Sequence, residues 1–148
     1  MLSLQEISDR LELEDLVAAY SHALDARDWD ALAELFTADA VVDYTEMGGP
    51  RGDVASTIDF LARTMPLMAS TQHLVATSRF RVDGDRADGR TICFNPMVVE
   101  VESHPHVFFC GLWYRDRFER TAGGWRIAER YEERSYLHNL PEGWGRRP

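Results

Sequence analysis

Tyr20-Ser-His-Ala-Leu-Asp25-Ala-Arg-Asp28-Trp29-Asp-Ala-Leu-Ala-Glu-Leu-Phe36-Thr-Ala-Asp-Ala-Val-Val-Asp-Tyr44 places a helix end, a corner and a strand in one short segment. Apolar positions keep helical spacing up to Leu24 and break at Asp25. Asp28 then stands where an N-cap belongs, ahead of Trp29, Leu32, Leu35 and Phe36, which predict a second helix of about two turns. Ala40–Tyr44 reads as a short strand. A carboxylate at Asp25, where the first helix turns away, can point into the space that the second helix and the strand enclose. Tyr44, at the end of that strand, can point into the same space.

Upstream, Leu4, Ile7, Leu11, Leu13, Leu16, Val17, Tyr20 and Leu24 predict an amphipathic helix with one buried stripe, capped by Ser3 with Glu6 as its capping-box partner. Downstream, Gly48-Gly-Pro50 breaks the chain before a third helix, capped by Asp53 and running through Ile58, Phe60, Leu61 and Met65. From Thr71 the apolar period becomes two. Runs from His73 to Val82 and from Ala87 to Val101 flank the turn Asp83-Gly84-Asp85. Glu102-Ser-His-Pro105 reads as a polar connection to a strand from Val107 to Arg120. Thr121-Ala-Gly-Gly124 then turns the chain into a last strand from Trp125 to about Leu137. Helices first and long antiparallel strands afterwards indicate an α+β domain. There is no internal repeat, low-complexity segment or interdomain linker, so residues 1–148 read as one domain.

The 25 acidic against 16 basic residues give a net charge of −9, and the basic residues form no cluster longer than Arg146-Arg147. This composition argues against nucleic acid and against anionic membrane surfaces. No segment has the apolar length of a membrane span, and no basic start leads into an apolar run, so the expected location is cytoplasmic. In that setting Cys93 and Cys110, both in apolar strand-like surroundings, are expected to be reduced core thiols. Arg51-Gly-Asp53 matches a cell-adhesion tripeptide but lacks the secretion signal that would give it meaning.

Asp25-Ala-Arg-Asp-Trp-Asp-Ala-Leu, Val42-Asp43-Tyr44, Thr71-Gln72-His73 and Trp113-Tyr114, taken in order, resemble the SnoaL-like proteins of the nuclear-transport-factor-two-like superfamily, and most closely their scytalone-dehydratase-like branch. The resemblance covers nearly the whole chain. It implies a cone-shaped, curved mixed or antiparallel sheet wrapped around three N-terminal helices and enclosing an apolar pocket, a cystatin-like α+β roll. It also implies a cofactor-independent lyase, in which Asp25 and His73 form a dyad that removes a proton beside a leaving group and Tyr44 polarises a substrate carbonyl.

His73 suits that chemistry because imidazole titrates near neutral pH, and a carboxylate on its other nitrogen fixes the tautomer. Tyr20, Leu24, Asn95, Met97, Cys110 and Arg130 are the candidate substrate-binding residues. Tyr20 could equally belong to the buried stripe of the first helix, and Arg130 is placed at the pocket mouth by the family's last strand. Three departures from the dehydratase pattern predict a more apolar pocket and a different substrate. Asn95-Pro96-Met97 falls where the second catalytic histidine would be, Phe108 and Cys110 replace a strand Ser and Asn, and Leu24 replaces a tyrosine. Arg115, Arg117, Glu119, Arg130, Glu132 and Arg134 alternate with apolar residues and read as a solvated or ion-paired sheet face.

His104-Pro-His106 lacks a third ligand at metal spacing, so no metal is expected, and the resemblance implies no cofactor. The expected ligand is a small apolar cyclic or aromatic metabolite, and the expected reaction is dehydration. Isomerase and polyketide cyclase are alternative enzymes. Outside catalysis, the alternatives are a hydrophobic-ligand-binding protein and an accessory subunit of a ring-hydroxylating dioxygenase. Outward aromatics on a curved sheet predict a homo-oligomer, trimer or dimer, and residues 138–148 are expected to form a lid or a subunit contact.

Overall fold

The capping box predicted at the start of the chain forms, with the Ser3 side chain accepting from the Glu6 N–H and the Glu6 carboxylate from the Ser3 N–H. The computed structural model describes residues 1–144. Helix α1 (Leu4–Ala26) ends at Arg27 in the left-handed region, whose N–H closes on Ala23 and Leu24. Asp28 caps α2 (Trp29–Glu34) and Asp53 caps α3 (Val54–Thr64), each accepting from a backbone N–H three residues on. The strands are β1 (Phe36–Asp43), β2 (Arg51–Gly52), β3 (Ser70–Thr71), β4 (Leu74–Asp83), β5 (Arg86–Val101), β6 (His104–Thr121) and β7 (Gly124–His138).

They form one seven-stranded curved sheet in the order β2-β1-β7-β6-β5-β3, with β4 also paired to β5. Only the β1–β7 pairing is parallel. The α+β class and the mixed sheet are therefore as the sequence indicated. The core lies between the concave face of the sheet and the helices, with Leu13, Val17, Tyr20, Val42, Tyr114, Phe118 and Ile127 almost fully buried.

Several boundaries differ from the sequence expectation. The buried stripe of α1 is Asp9, Leu13, Leu16, Val17, Tyr20 and Leu24, while Leu4, Ile7 and Leu11 are exposed. Leu11 lies some 200° around the helix from Asp9, which takes the inward position because Arg120, Trp125 and Gln5 all donate to it. Arg120 holds the Asp9 carboxyl down to about 2. Strand β1 starts at Phe36 rather than Ala40, since β7 captures the chain directly after α2 through Ile127 N–H to Leu35 C=O. Tyr44 lies just past β1 and begins a 3₁₀ turn. The expected four-residue connection before β6 is a two-residue turn, with Glu102 and Ser103 both at positive φ as a tight hairpin requires.

One irregularity in β7 matters for the site. Phe118 pairs with Ile127 but Arg117 pairs with Glu129, so Ala128 is an extra residue. A one-residue bulge switches which face each later side chain occupies. Arg130 and Glu132 consequently turn inward, and Tyr131 and Glu133 turn outward. The expected solvated face is thus corrected for Arg130 and Glu132, and it holds for Arg115 and Arg117, which are exposed and pair with Glu133 and Glu129.

Gly89 on β5 sits under an edge-to-face pair, Phe80 and Phe118, with ring centroids 5.9 Å apart. A Cβ there would lie 2.8 Å from Phe118 and 2.9 Å from Phe80. G89A is therefore expected to lose roughly 1–3 kcal/mol in urea denaturation by overpacking.

Candidate active site

The dyad assembles where the sheet's edge ladder is interrupted. Thr71 pairs with Met97 and Leu74 pairs with Phe94, but Gln72 and His73 between them have no register partner. Pro96 lies opposite this gap and has no N–H to give to the ladder. The free N–H of His73 donates instead to Asp25 Oδ2 at 2.8 Å, its Nδ1 lies 2.6 Å from Asp25 Oδ1, and Thr71 Oγ1 donates to the same oxygen at 2.8 Å.

Asp25 occupies the last turn of α1, so helix and sheet edge are tied together by one carboxylate with three donors. Burial raises the Asp25 carboxyl, but the His73 and Thr71 hydrogen bonds outweigh it and hold it below the usual value. A carboxylate therefore faces Nδ1–H, which leaves the lone pair on Nε2. Asn95 Nδ2 donates to that nitrogen at 2.8 Å, and the Asn95 Oδ1 is buried with no partner among the described residues.

His73 and Asn95, the residue on its Nε2, both line a cavity of about 290 Å³ between the sheet and the helices. Leu24, Tyr44, Asn95, Met97 and Cys110 line it together with Phe60, Leu61, Met65 and Phe108. Leu140 and Trp144 border it from the C-terminal segment, and Trp144 packs edge-on against Phe108. The expected tail 138–148 thus reaches the cavity as far as Trp144, and residues 145–148 lie outside the described part.

Tyr20 and Arg130 do not line the cavity. Tyr20 stands behind Tyr44 with the two hydroxyls hydrogen-bonded, and burial raises both phenols above their ordinary range. Arg130 is fully buried rather than at a pocket mouth. Its Nε and Nη2 donate to Asp116 at 2.8 and 2.7 Å, and its guanidinium lies between the rings of Tyr20 and Tyr114 at 3.9 and 4.0 Å. The Ala128 bulge is what turns it inward.

Cys93 and Cys110 are free, and burial pushes both thiols up to about 12. His104 and His106 each have a ring nitrogen against a backbone carbonyl, of Glu102 and Asn139 respectively. Among the described residues no group of three His, Cys, Asp or Glu side chains converges as a metal site. Among the described residues no helix is long and apolar enough to cross a membrane.

The sequence reading missed Glu132. It lines the cavity from β7, 8% exposed, and no described group hydrogen-bonds its carboxyl. Burial raises it from 4.5 to about 8, with Arg130 pulling it down and Asp116 pushing it back up. Between those two values the folded chain keeps a proton that the unfolded chain releases. Stability contributed at Glu132 is therefore full below about pH 4.5 and is lost as pH rises towards 8. Relative to E132Q, wild type is expected to lose a few kcal/mol between about pH 5 and pH 9 in urea titrations.

A profile of the SnoaL-like domain matches residues 5–131. The chain belongs to the SnoaL-like family. Its fold is that of the nuclear-transport-factor-two-like superfamily, which includes proteins described as cystatin-like. An uncharacterized protein of Mycobacterium tuberculosis strain H37Rv is 44% identical over 136 residues, covering 92% of each chain. Among solved structures, a protein from Novosphingobium aromaticivorans assigned as a scytalone dehydratase superposes with a TM-score of 0.80 at 19% identity, covering 96% of this chain and 97% of that one. A hexachlorocyclohexane dehydrochlorinase superposes with a TM-score of 0.80 at 21% identity, covering 98% and 97%. At these identities the likeness is one of fold.

Proposed function

We propose that this SnoaL-like protein is a cofactor-independent lyase that dehydrates a small apolar cyclic or aromatic hydroxy ketone. The observation that carries the reading is the Asp25–His73 pair at 2.6 Å, with His73 in the lining of a largely apolar cavity. Asp25 fixes Nδ1–H, so Nε2 is the base. It removes the proton beside the carbonyl, and the imidazolium so formed returns a proton to the departing hydroxyl. Tyr44, oriented by Tyr20, shapes the wall beside the reacting carbon, while Leu24, Met97 and Cys110 supply apolar contact. Two structural relatives are named for eliminations, the loss of water and the loss of hydrogen chloride, which is the reaction class that such a base serves.

Asn95 favours a second reading, a cavity that only binds, because its amide occupies the Nε2 lone pair. An amide side chain can rotate, however, and its unpartnered Oδ1 is suited to accept from Nε2–H once His73 is protonated. The two readings separate in deuterium oxide with 1-tetralone as probe. A lyase site exchanges the hydrogens beside the carbonyl, and the H73A variant does not. Binding of 1-tetralone without exchange above the buffer rate would favour the binding protein.

A further inference from the structure

Two ionisable groups from separate elements, His73 and Glu132, line the cavity, and the mechanism above uses only one. His73 comes from the β3–β4 corner. Glu132 comes from β7, which is separated from β5 by β6 in the curved sheet. Both line the same cavity, and Cys93 lies close enough to both carboxylates, Glu132 and Asp25, for each to raise its thiol.

A carboxyl group that is more than nine-tenths buried, borders a ligand-sized apolar space and has no hydrogen-bond partner among the described residues has two options. It can stay ionised at a large desolvation cost, or it can keep its proton and offer the O–H to whatever fills the space. The Ala128 bulge is what directs this side chain into the cavity, as it does Arg130 two residues before.

We propose that Glu132 is the acid of the site, a neutral carboxyl group that donates its proton to the carbonyl oxygen of a neutral cyclic ketone bound against His73. The proposal rests on the lyase reading and names the half of the reaction which that reading leaves open. As Nε2 takes the proton from the carbon beside the carbonyl, the C–H electron pair forms a C=C bond and the carbonyl oxygen takes the Glu132 proton, giving an enol. The enol then returns that proton to Glu132 as the C=O bond re-forms, the enol C=C pair shifts to form a new C=C bond to the next carbon, the C–O bond from that carbon to its hydroxyl breaks, and the hydroxyl leaves with the proton held by His73 as water. Both groups end as they began, and no other reactant enters.

The charges around Glu132 are consistent with a proton held there. Arg130 on β7 is the cation beside it, and Asp116 on β6 neutralises that cation through two hydrogen bonds. Tyr20 of α1, Tyr44 beyond β1, and Tyr114 and Cys110 on β6 with Cys93 on β5 are the other groups electrostatically coupled to it, and burial raises all of them. The two carboxyl groups of the site are pushed apart, Glu132 up by burial and Asp25 down by its hydrogen bonds, which separates an acid from the carboxylate that orients the base. The same arrangement selects against carboxylate ligands, which would face a wall with no free cation among the described residues.

Infrared spectroscopy tests this on the whole chain, first without ligand. Wild type at pH 6 is expected to show a protonated-carboxyl band that E132Q lacks and that fades as pH rises through about 8. Absence of that band overturns the proposal whether or not any ligand binds. With carbonyl-labelled 1-tetralone, the bound C=O band is expected to shift to lower frequency in wild type, and the affinity to fall about tenfold in E132L and in wild type at pH 10. E132Q, which keeps an N–H donor and does not titrate, holds the probe at both pH values. Unchanged affinity and C=O frequency in an E132L variant that folds as wild type overturn the donor role. Persistent exchange in H73A overturns the base reading alone, because the C=O shift does not depend on His73.

Discussion

H73A is expected to lower the exchange of hydrogens beside the carbonyl of 1-tetralone, and turnover of the natural substrate, by roughly 10²- to 10⁴-fold while leaving the fold intact. The His73 side chain is only 6% exposed, but one of its neighbours is a cavity and its backbone N–H, which alanine retains, makes the second bond to Asp25. The corner is therefore expected to survive the substitution. D25N should be nearly as damaging for a different reason. Asparagine can present its N–H₂ to Nδ1, which would place the imidazole proton on Nε2 and leave no lone pair for the substrate. The loss in D25N should therefore persist at all pH values at which it folds, whereas a merely structural role for Asp25 would lower stability without that loss. Full exchange activity in either variant would remove the dyad mechanism. N95A is the complementary variant: if the amide restrains the base, exchange is retained or rises.

The elements could be read from the sequence because they depend on local signals, whereas the cone, its pocket and the Asp25–His73 pairing were implied by the family resemblance. Asp25 marks a helix end, Asp28 and Asp53 are caps, and the two-residue period after Thr71 gives the strands. His73 stood out as an imidazole among apolar strand residues, and the family resemblance paired it with Asp25. What could not be read was any feature set by register. One extra residue, Ala128, reverses the facing of Arg130 and Glu132 relative to the alternation with Arg115 and Arg117, and no residue type at 128 announces a bulge. Helical spacing also misled at the start of α1. Leu4, Ile7 and Leu11 keep the three-and-four period but lie on the far side from Leu13 and Tyr20, because the inward site is held by the Asp9–Arg120 contact, which comes from β6.

The buried pair beneath the cavity is expected to dominate stability. D116A strands Arg130, a fully buried guanidinium with two of its nitrogens donating to that one carboxylate, and should cost roughly 3–5 kcal/mol in urea denaturation. The rings of Tyr20 and Tyr114 on its two faces remain and offset only part of that cost. Replacing both partners, R130M with D116L, removes both charges and should come within about 1–2 kcal/mol of wild type, because the pair's attraction largely repays its own desolvation. A D116A cost below about 1 kcal/mol would mean that Arg130 finds another partner. The nearest anionic candidate is Glu132, two residues along β7, and this links the pair to the cavity. Asp116 neutralises the cation that would otherwise draw the proton off Glu132, since Arg130 lowers the Glu132 carboxyl and Asp116 raises it. The isosteric D116N variant should therefore move the Glu132 titration below its wild-type value of about 8. A carboxylate would then line the cavity at neutral pH, and affinity for 1-tetralone would fall with no change at His73.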